Sequence, residues 1–159
     1  GPAYYKRYPE RFEKFKPTCE TSELQDCPRE SIVNTYDNTI LYTDYFIAKT
    51  IEAAKKFPDR AITVIYTSDH GESLGENSIY LHGMPYAIAP EQQRKVPMIL
   101  WMNERAKKTV DYECIKKAAK ESLSHAILFH SILGLAEIKS ELYEPDKDIF
   151  GKCGVKKRP

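Results

Sequence analysis

Apolar and polar positions first fall into a regular order after Pro28. In "RESIVNTYDNTILYTDYFIAKTIEAAKKF", Val33, Tyr36, Ile40, Ile47, Ile51 and Ala54 recur at intervals of three, four and seven, which predicts a long helix burying that face. Pro28 suits the first turn, where its missing N–H costs nothing, and Pro58 disfavours helical geometry at Phe57, where the helix should stop. "AITVIYT" (Ala61–Thr67) and "VPMILWM" (Val96–Met102) are apolar on both alternating faces, as strands covered on two sides in a parallel sheet are. Residues 68–95 then form a connection far longer than usual, and such connections tend to be functional or disordered. A last helix is predicted from Cys114 or Ala118 to Leu135, and the opening "GPAYYKRYPERFEKFKP" reads as irregular and partly helical. This order of elements says α/β. Two strands are fewer than a doubly covered parallel sheet normally has, so the fold is expected to be partial.

Composition narrows the function classes. The 159 residues suffice for one domain, and 42% hydrophobic with 30% charged residues is ordinary for a soluble globular chain. With 24 basic and 23 acidic residues the net charge is +1, which gives no global field for nucleic acid; no nucleic-acid partner is expected. The terminal "KKRP" (Lys156–Pro159) reads as a solvated charge run. No run of about 20 apolar residues is present, and "AILFHSILGLA" is short and interrupted by His130 and Ser131. The segment is therefore expected to be soluble, although a longer parent need not be.

Cys19 and Cys27 lie eight apart in a polar, turn-forming stretch. A disulfide, two free thiols and a two-cysteine zinc half-site are all open; polar neighbours and the lack of a nearby histidine favour the disulfide, and with it an oxidising compartment. Cys114 and Cys153 could pair, stay reduced or reach partners elsewhere.

The chemistry gathers in "VIYTSDHGESLGENSIYLHGMPYAIAP". Asp69 and His70 follow the first strand directly, where ligands gather in α/β sheets, and a carboxylate beside an imidazole suits a borderline cation such as Zn²⁺. Gly71 would let the backbone turn sharply, His82 returns from across the loop ahead of Gly83, and Glu72 and Glu76 are available as ligands or as acceptors for imidazole N–H groups. An ordinary turn with a capping aspartate explains the same triplet. His125 and His130, five apart on the last helix and so roughly 140° around it, cannot easily share an ion and read as structural.

These segments, with "NTYDNTILYTDYF", "VPMILW", "GPAYYKRYP", "PTCETSELQDC" and "LYEPDKDIFGKC", resemble the corresponding parts of bacterial phosphoethanolamine transferases. That family modifies lipid A and includes the mobile colistin-resistance proteins. The resemblance implies a partial alkaline phosphatase/sulfatase-like fold, a mostly parallel sheet flanked by helices, with residues 1–159 forming the C-terminal portion of a periplasmic catalytic domain that follows membrane helices. It places Asp69 and His70 on a catalytic zinc, His82 beside the substrate phosphate (where it can also hold a second zinc), and Cys19 with Cys27 in a disulfide. It implies a phosphatidylethanolamine donor, a lipid A acceptor, a threonine that carries the group between them, and a place at the periplasmic face of the inner membrane.

One departure is decisive for the chain taken by itself. None of Thr18, Thr21, Thr35, Thr39, Thr43, Thr50, Thr63, Thr67 and Thr109 stands in a context matching the family's nucleophile, and a further zinc-binding glutamate and a histidine ahead of Gly1-Pro2 are expected upstream. The chain alone is expected to be inactive. A phosphatase or sulfatase on the same scaffold, and a non-catalytic module, are the competing readings.

Overall fold

Pro28 does open the long helix: its carbonyl accepts from the backbone N–H groups of Ser31 and Ile32, and α1 runs Arg29–Ala54. The computed structural model describes residues 4–154, so Gly1, Pro2 and the terminal Lys156–Pro159 lie outside it. The buried face of α1 differs from the expected one. Ser31, Ile32, Thr35, Asn38 and Ile47 are buried, while Ile40 is 49% exposed. The reason is polar. Asn38 Oδ1 accepts from the N–H groups of Lys14 and Phe15, its Nδ2 donates to the Phe15 carbonyl, and Thr35 Oγ1 accepts from Cys19 N at 2.7 Å. The irregular opening segment has few ladder bonds of its own, so the helix turns its hydrogen-bonding side chains towards it. That segment holds two short 3-10 turns, Tyr4–Lys6 and Glu10–Phe12, and buries Tyr4, Tyr8 and Phe12 as packing residues.

The strands are β1 (Thr63–Thr67), β2 (Ser73–Leu74), β3 (Tyr80–Leu81) and β4 (Met98–Met102). β1 pairs with β4, and β2 pairs antiparallel with β3. β1 is half-buried along its length rather than covered on both faces. The long connection is neither disordered nor plain loop. It contains the β2–β3 hairpin and helix α2 (Glu91–Arg94), both too short to leave a periodic signal.

The expected last helix is two helices, α4 (Tyr112–Ala118) and α5 (Ala126–Leu135), after a short α3 (Glu104–Lys107) and before α6 (Ile149–Lys152). "KESLSH" interrupts it; serines favour local hydrogen bonds over helix continuation.

The chain forms two compact units, one running to Ala54 and resuming over Val64–Trp101, the other made of Lys55–Thr63 and the chain from Met102. In the first, Tyr4, Cys19, Leu24 and Ile32 form a core flanked by Cys27, Leu74 and Tyr80. In the second, Met102, Ala106, Val110, Ile115, Ile149 and Phe150 are buried. Cys19 is bonded to Cys27 and Cys114 to Cys153, which settles both questions left by the sequence. No helix among the described residues is long and apolar enough to cross a membrane.

Candidate metal centre

β1 delivers the chain to Ser68, whose hydroxyl donates to the His70 carbonyl at 2.7 Å. Asp69 is largely exposed; its Oδ1 accepts from the His70 N–H at 3.1 Å, and its Oδ2 stands 3.7 Å from His70 Nε2. Its own backbone N–H, and then the His70 imidazole, hold the Asp69 carboxyl below the ordinary carboxylate range. His70 Nδ1 lies 3.0 Å from the Gly71 carbonyl. A carbonyl can only accept, so Nδ1 carries the hydrogen and Nε2 keeps a free lone pair on the Asp69 side.

Gly71 is needed for a reason the sequence did not suggest. Its N–H donates to Gln93 O at 3.0 Å, and a Cβ there would lie 1.9 Å from Gln92 O. Close approach to the α2 backbone, rather than a sharp turn, excludes any side chain. Gln93 itself was not singled out in the sequence. Buried, it donates to Ser73 Oγ at 2.9 Å and accepts from Met84 N at 3.3 Å, so it ties both ends of the hairpin to α2. A buried glutamine in a polar "EQQR" run leaves no sequence signal.

The hairpin register brings the second histidine in. Ser73 pairs with Leu81 and Leu74 with Tyr80, so Glu72 and His82 come next in line across the ladder. Glu72 Oε1 lies 3.0 Å from His82 Nδ1 and 4.0 Å from His70 Nδ1, and the two imidazole rings stack with centroids 3.8 Å apart. One donor atom each from His70, Glu72 and His82 falls within 4.8 Å of the others. Asp69 is not one of these three, but meets His70 from the Nε2 side. Glu76 is elsewhere: Arg29 holds one of its oxygens at 3.1 Å and Leu74 N donates to the other. An open depression lined by Phe12, Leu41, Tyr45 and Ala48 contains neither histidine.

The donor set fits a zinc ion. Ligands about 2.0–2.1 Å from one tetrahedral ion stand roughly 3.3 Å apart, near the Asp69–His70 separation. Glu72 lies beside this pair, on the Nδ1 side of His70; its side chain is only 8% exposed and its Oε2 has no hydrogen-bond partner among the described residues. A buried anionic oxygen left in that state is expensive unless a cation or donor completes it. His130 behaves as expected of a structural residue: it is buried, and its Nδ1 accepts from Glu144 N at 2.9 Å. His125 stands at the N-terminal boundary of α5.

Residues 1–138 match the family model described as Sulfatase. The phosphoethanolamine transferase EptA of Escherichia coli K12 is 50% identical over 157 residues, which are 96% of this chain and 29% of that protein. Among solved structures, the C-terminal periplasmic domain of the phosphoethanolamine transferase EptC from Campylobacter jejuni aligns with a TM-score of 0.86 at 47% identity, over 99% of this chain and 50% of that one. The integral membrane lipooligosaccharide phosphoethanolamine transferase A from Neisseria meningitidis aligns with a TM-score of 0.90 at 45% identity, over 99% of this chain and 30% of that one. The chain thus spans less than a third of its full-length relatives.

Proposed function

For a chain that belongs to the sulfatase family, we propose the C-terminal portion of a periplasmic catalytic domain whose intact protein moves phosphoethanolamine from phosphatidylethanolamine to a lipid A phosphate. The observation that carries this reading is the convergence of Asp69, His70, Glu72 and His82 at the carboxyl end of β1 and on the β2–β3 hairpin. The names of the relatives point the same way, since all three are phosphoethanolamine transferases and one acts on lipooligosaccharide. We read the β1–β4 pair as part of a mostly parallel sheet, and the intact protein as lying at the periplasmic face of the inner membrane.

Asp69 and His70 would hold zinc, His70 through the nitrogen left bare by its bond to Gly71. When bound, the ion lowers the pKa of a hydroxyl nucleophile and offsets charge on the phosphoryl oxygens. A threonine outside this chain takes the group: its bond to phosphorus forms as the bond to diacylglycerol oxygen breaks, and a lipid A phosphate oxygen then displaces it. His82 keeps its Nδ1 on Glu72 and offers Nε2 to the substrate phosphate. On the same loop Leu81, Met84, Tyr86 and Ile88 are exposed, and an apolar surface beside the charged centre suits a lipid donor.

Asp69→Ala in the intact protein should lower lipid A modification by roughly a hundredfold or more, read by mass spectrometry of lipid A, with chelation reproducing the loss. An unchanged rate would remove the metal role. Release of free phosphate or sulfate without a modified acceptor would make the protein a hydrolase of the same family. The chain alone should bind metal weakly and show no turnover.

A further inference from the structure

Among the described residues, two buried side-chain oxygens lack a hydrogen-bond partner: Glu72 Oε2 and the hydroxyl of Tyr4. Both lie in the same compact unit, and Leu74, two residues along the hairpin from Glu72, packs against the core that holds Tyr4. After burial, the Glu72 carboxylate is the largest influence on the Tyr4 hydroxyl, raising its pKa, although the contact stops short of hydrogen-bond geometry. Tyr4 itself is anchored. It is 5% exposed, packs with Cys19, Leu24 and Ile32, meets the Tyr36 ring edge-on at 6.2 Å and carries the Arg7 guanidinium 4.3 Å over its own ring. Glu72 is held from the other end by the hairpin, whose register sets it across from His82.

Two orphans of complementary type, a hydroxyl donor and a carboxylate acceptor, are relieved together by one hydrogen bond. An unmade bond at a buried oxygen costs about 1–3 kcal/mol, far more than a small side-chain rotation. We propose that Tyr4 is a positioning residue for His82, acting through Glu72: its hydroxyl donates to Oε2, which keeps Oε1 on the Nδ1–H of His82 and the His82 Nε2 lone pair directed outward. The chain is Tyr4 Oη–H to Glu72, then Glu72 to His82, and it fixes the imidazole tautomer without touching substrate. This deepens the proposed function, on which it rests for the use made of His82 Nε2. The hydrogen-bond chain itself can be tested separately.

The test is long-range ¹H–¹⁵N correlation of the histidine rings in the labelled 159-residue chain near pH 8, comparing the native protein with Tyr4→Phe and Glu72→Gln. In the native chain His82 should show one Nδ1–H tautomer, with Nε2 at the shift of a bare nitrogen. Tyr4→Phe should move both His82 nitrogens towards averaged values, while His130, whose Nδ1 accepts from Glu144, keeps the opposite tautomer. Glu72→Gln should move them further. Zinc titrated into the native samples by calorimetry tests the proposed function separately. If Tyr4→Phe fails to fold, 3,5-difluorotyrosine at position 4 keeps the shape and changes only the acidity of the donor; it should shift the His82 ring proton. Unchanged His82 shifts in Tyr4→Phe or the difluorotyrosine chain would overturn the proposal. Failure of the native chain and the intact protein to bind zinc would instead remove the proposed function, with the histidine shifts still deciding the role of Tyr4.

Discussion

Each compact unit buries a carboxylate, and the two are treated in opposite ways. Asp148 in the second unit is fully buried and fully used: Oδ1 accepts from Phe150 N at 2.8 Å, capping α6, and Oδ2 accepts from the Tyr143 hydroxyl at 2.7 Å. Gly134 of α5 makes room, since a Cβ there would lie 1.8 Å from Asp148 Oδ2. Glu72 in the first unit is nearly as buried, yet one oxygen faces His82 and the other has no completed bond. A satisfied buried acid holds elements together. An incompletely satisfied one beside two imidazoles is kept for something else, because stability alone would not retain it.

That contrast can be broken by measurement. The largest expected effect is structural and falls on the second unit. Its disulfide closes a separation of 39 residues against 8 for Cys19–Cys27, so on the chain-entropy model the two are worth about 4 and about 2.5 kcal/mol. Replacing Cys114 and Cys153 by serine should therefore lower the urea midpoint more than replacing Cys19 and Cys27; the reverse order would show that strain or residual structure outweighs loop length.

Next comes Asp148→Ala. It strips the Tyr143 hydroxyl and the first N–H of α6 of their acceptor, at a cost of about 3 kcal/mol in denaturant unfolding. Glu72→Ala should cost less in the same assay, about 1 kcal/mol, since it also removes the desolvation cost of a buried charge, yet lipid A modification by the intact protein should drop about 10- to 100-fold. A large stability loss with unchanged transfer would reclassify Glu72 as another Asp148.

The smallest effect is a titration. The Asp148 hydrogen bond, with burial, pushes the Tyr143 hydroxyl up to about 12 from an ordinary value near 10. A raised pKa means the neutral phenol is favoured in the fold, so this contribution is complete below pH about 10 and disappears as pH rises from about 10 through about 12. Ultraviolet titration of the native chain against Tyr143→Phe should show one phenol missing from that upper range. Were it to titrate near 10, the Tyr143–Asp148 bond would be absent in solution.

Local rules carried a good part of this fold. Pro28 and Pro58 bounded α1 to within a few residues, the two apolar runs became β1 and β4, and Asp69-His70 stands at the end of a strand because a β-branched run followed by Asp-His-Gly is visible in sequence. Two-residue strands are not, so the hairpin that carries Glu72 and His82 looked like plain loop. The apolar stripe through Ile40 misdirected the choice of helix face, since Thr35 and Asn38 are buried by hydrogen bonds that hydrophobic spacing does not register.

Residue order alone determined the donor types, the strand that launches them and the family to which the chain belongs. Tertiary structure decided which donors meet. Glu72 opposes His82 through ladder register, and Cys114 finds Cys153 across 39 residues. Propensity and capping act over a few neighbours. The meeting of a buried acid with an imidazole ten residues away depends on the hairpin closing against Gln93, and no local propensity contains it.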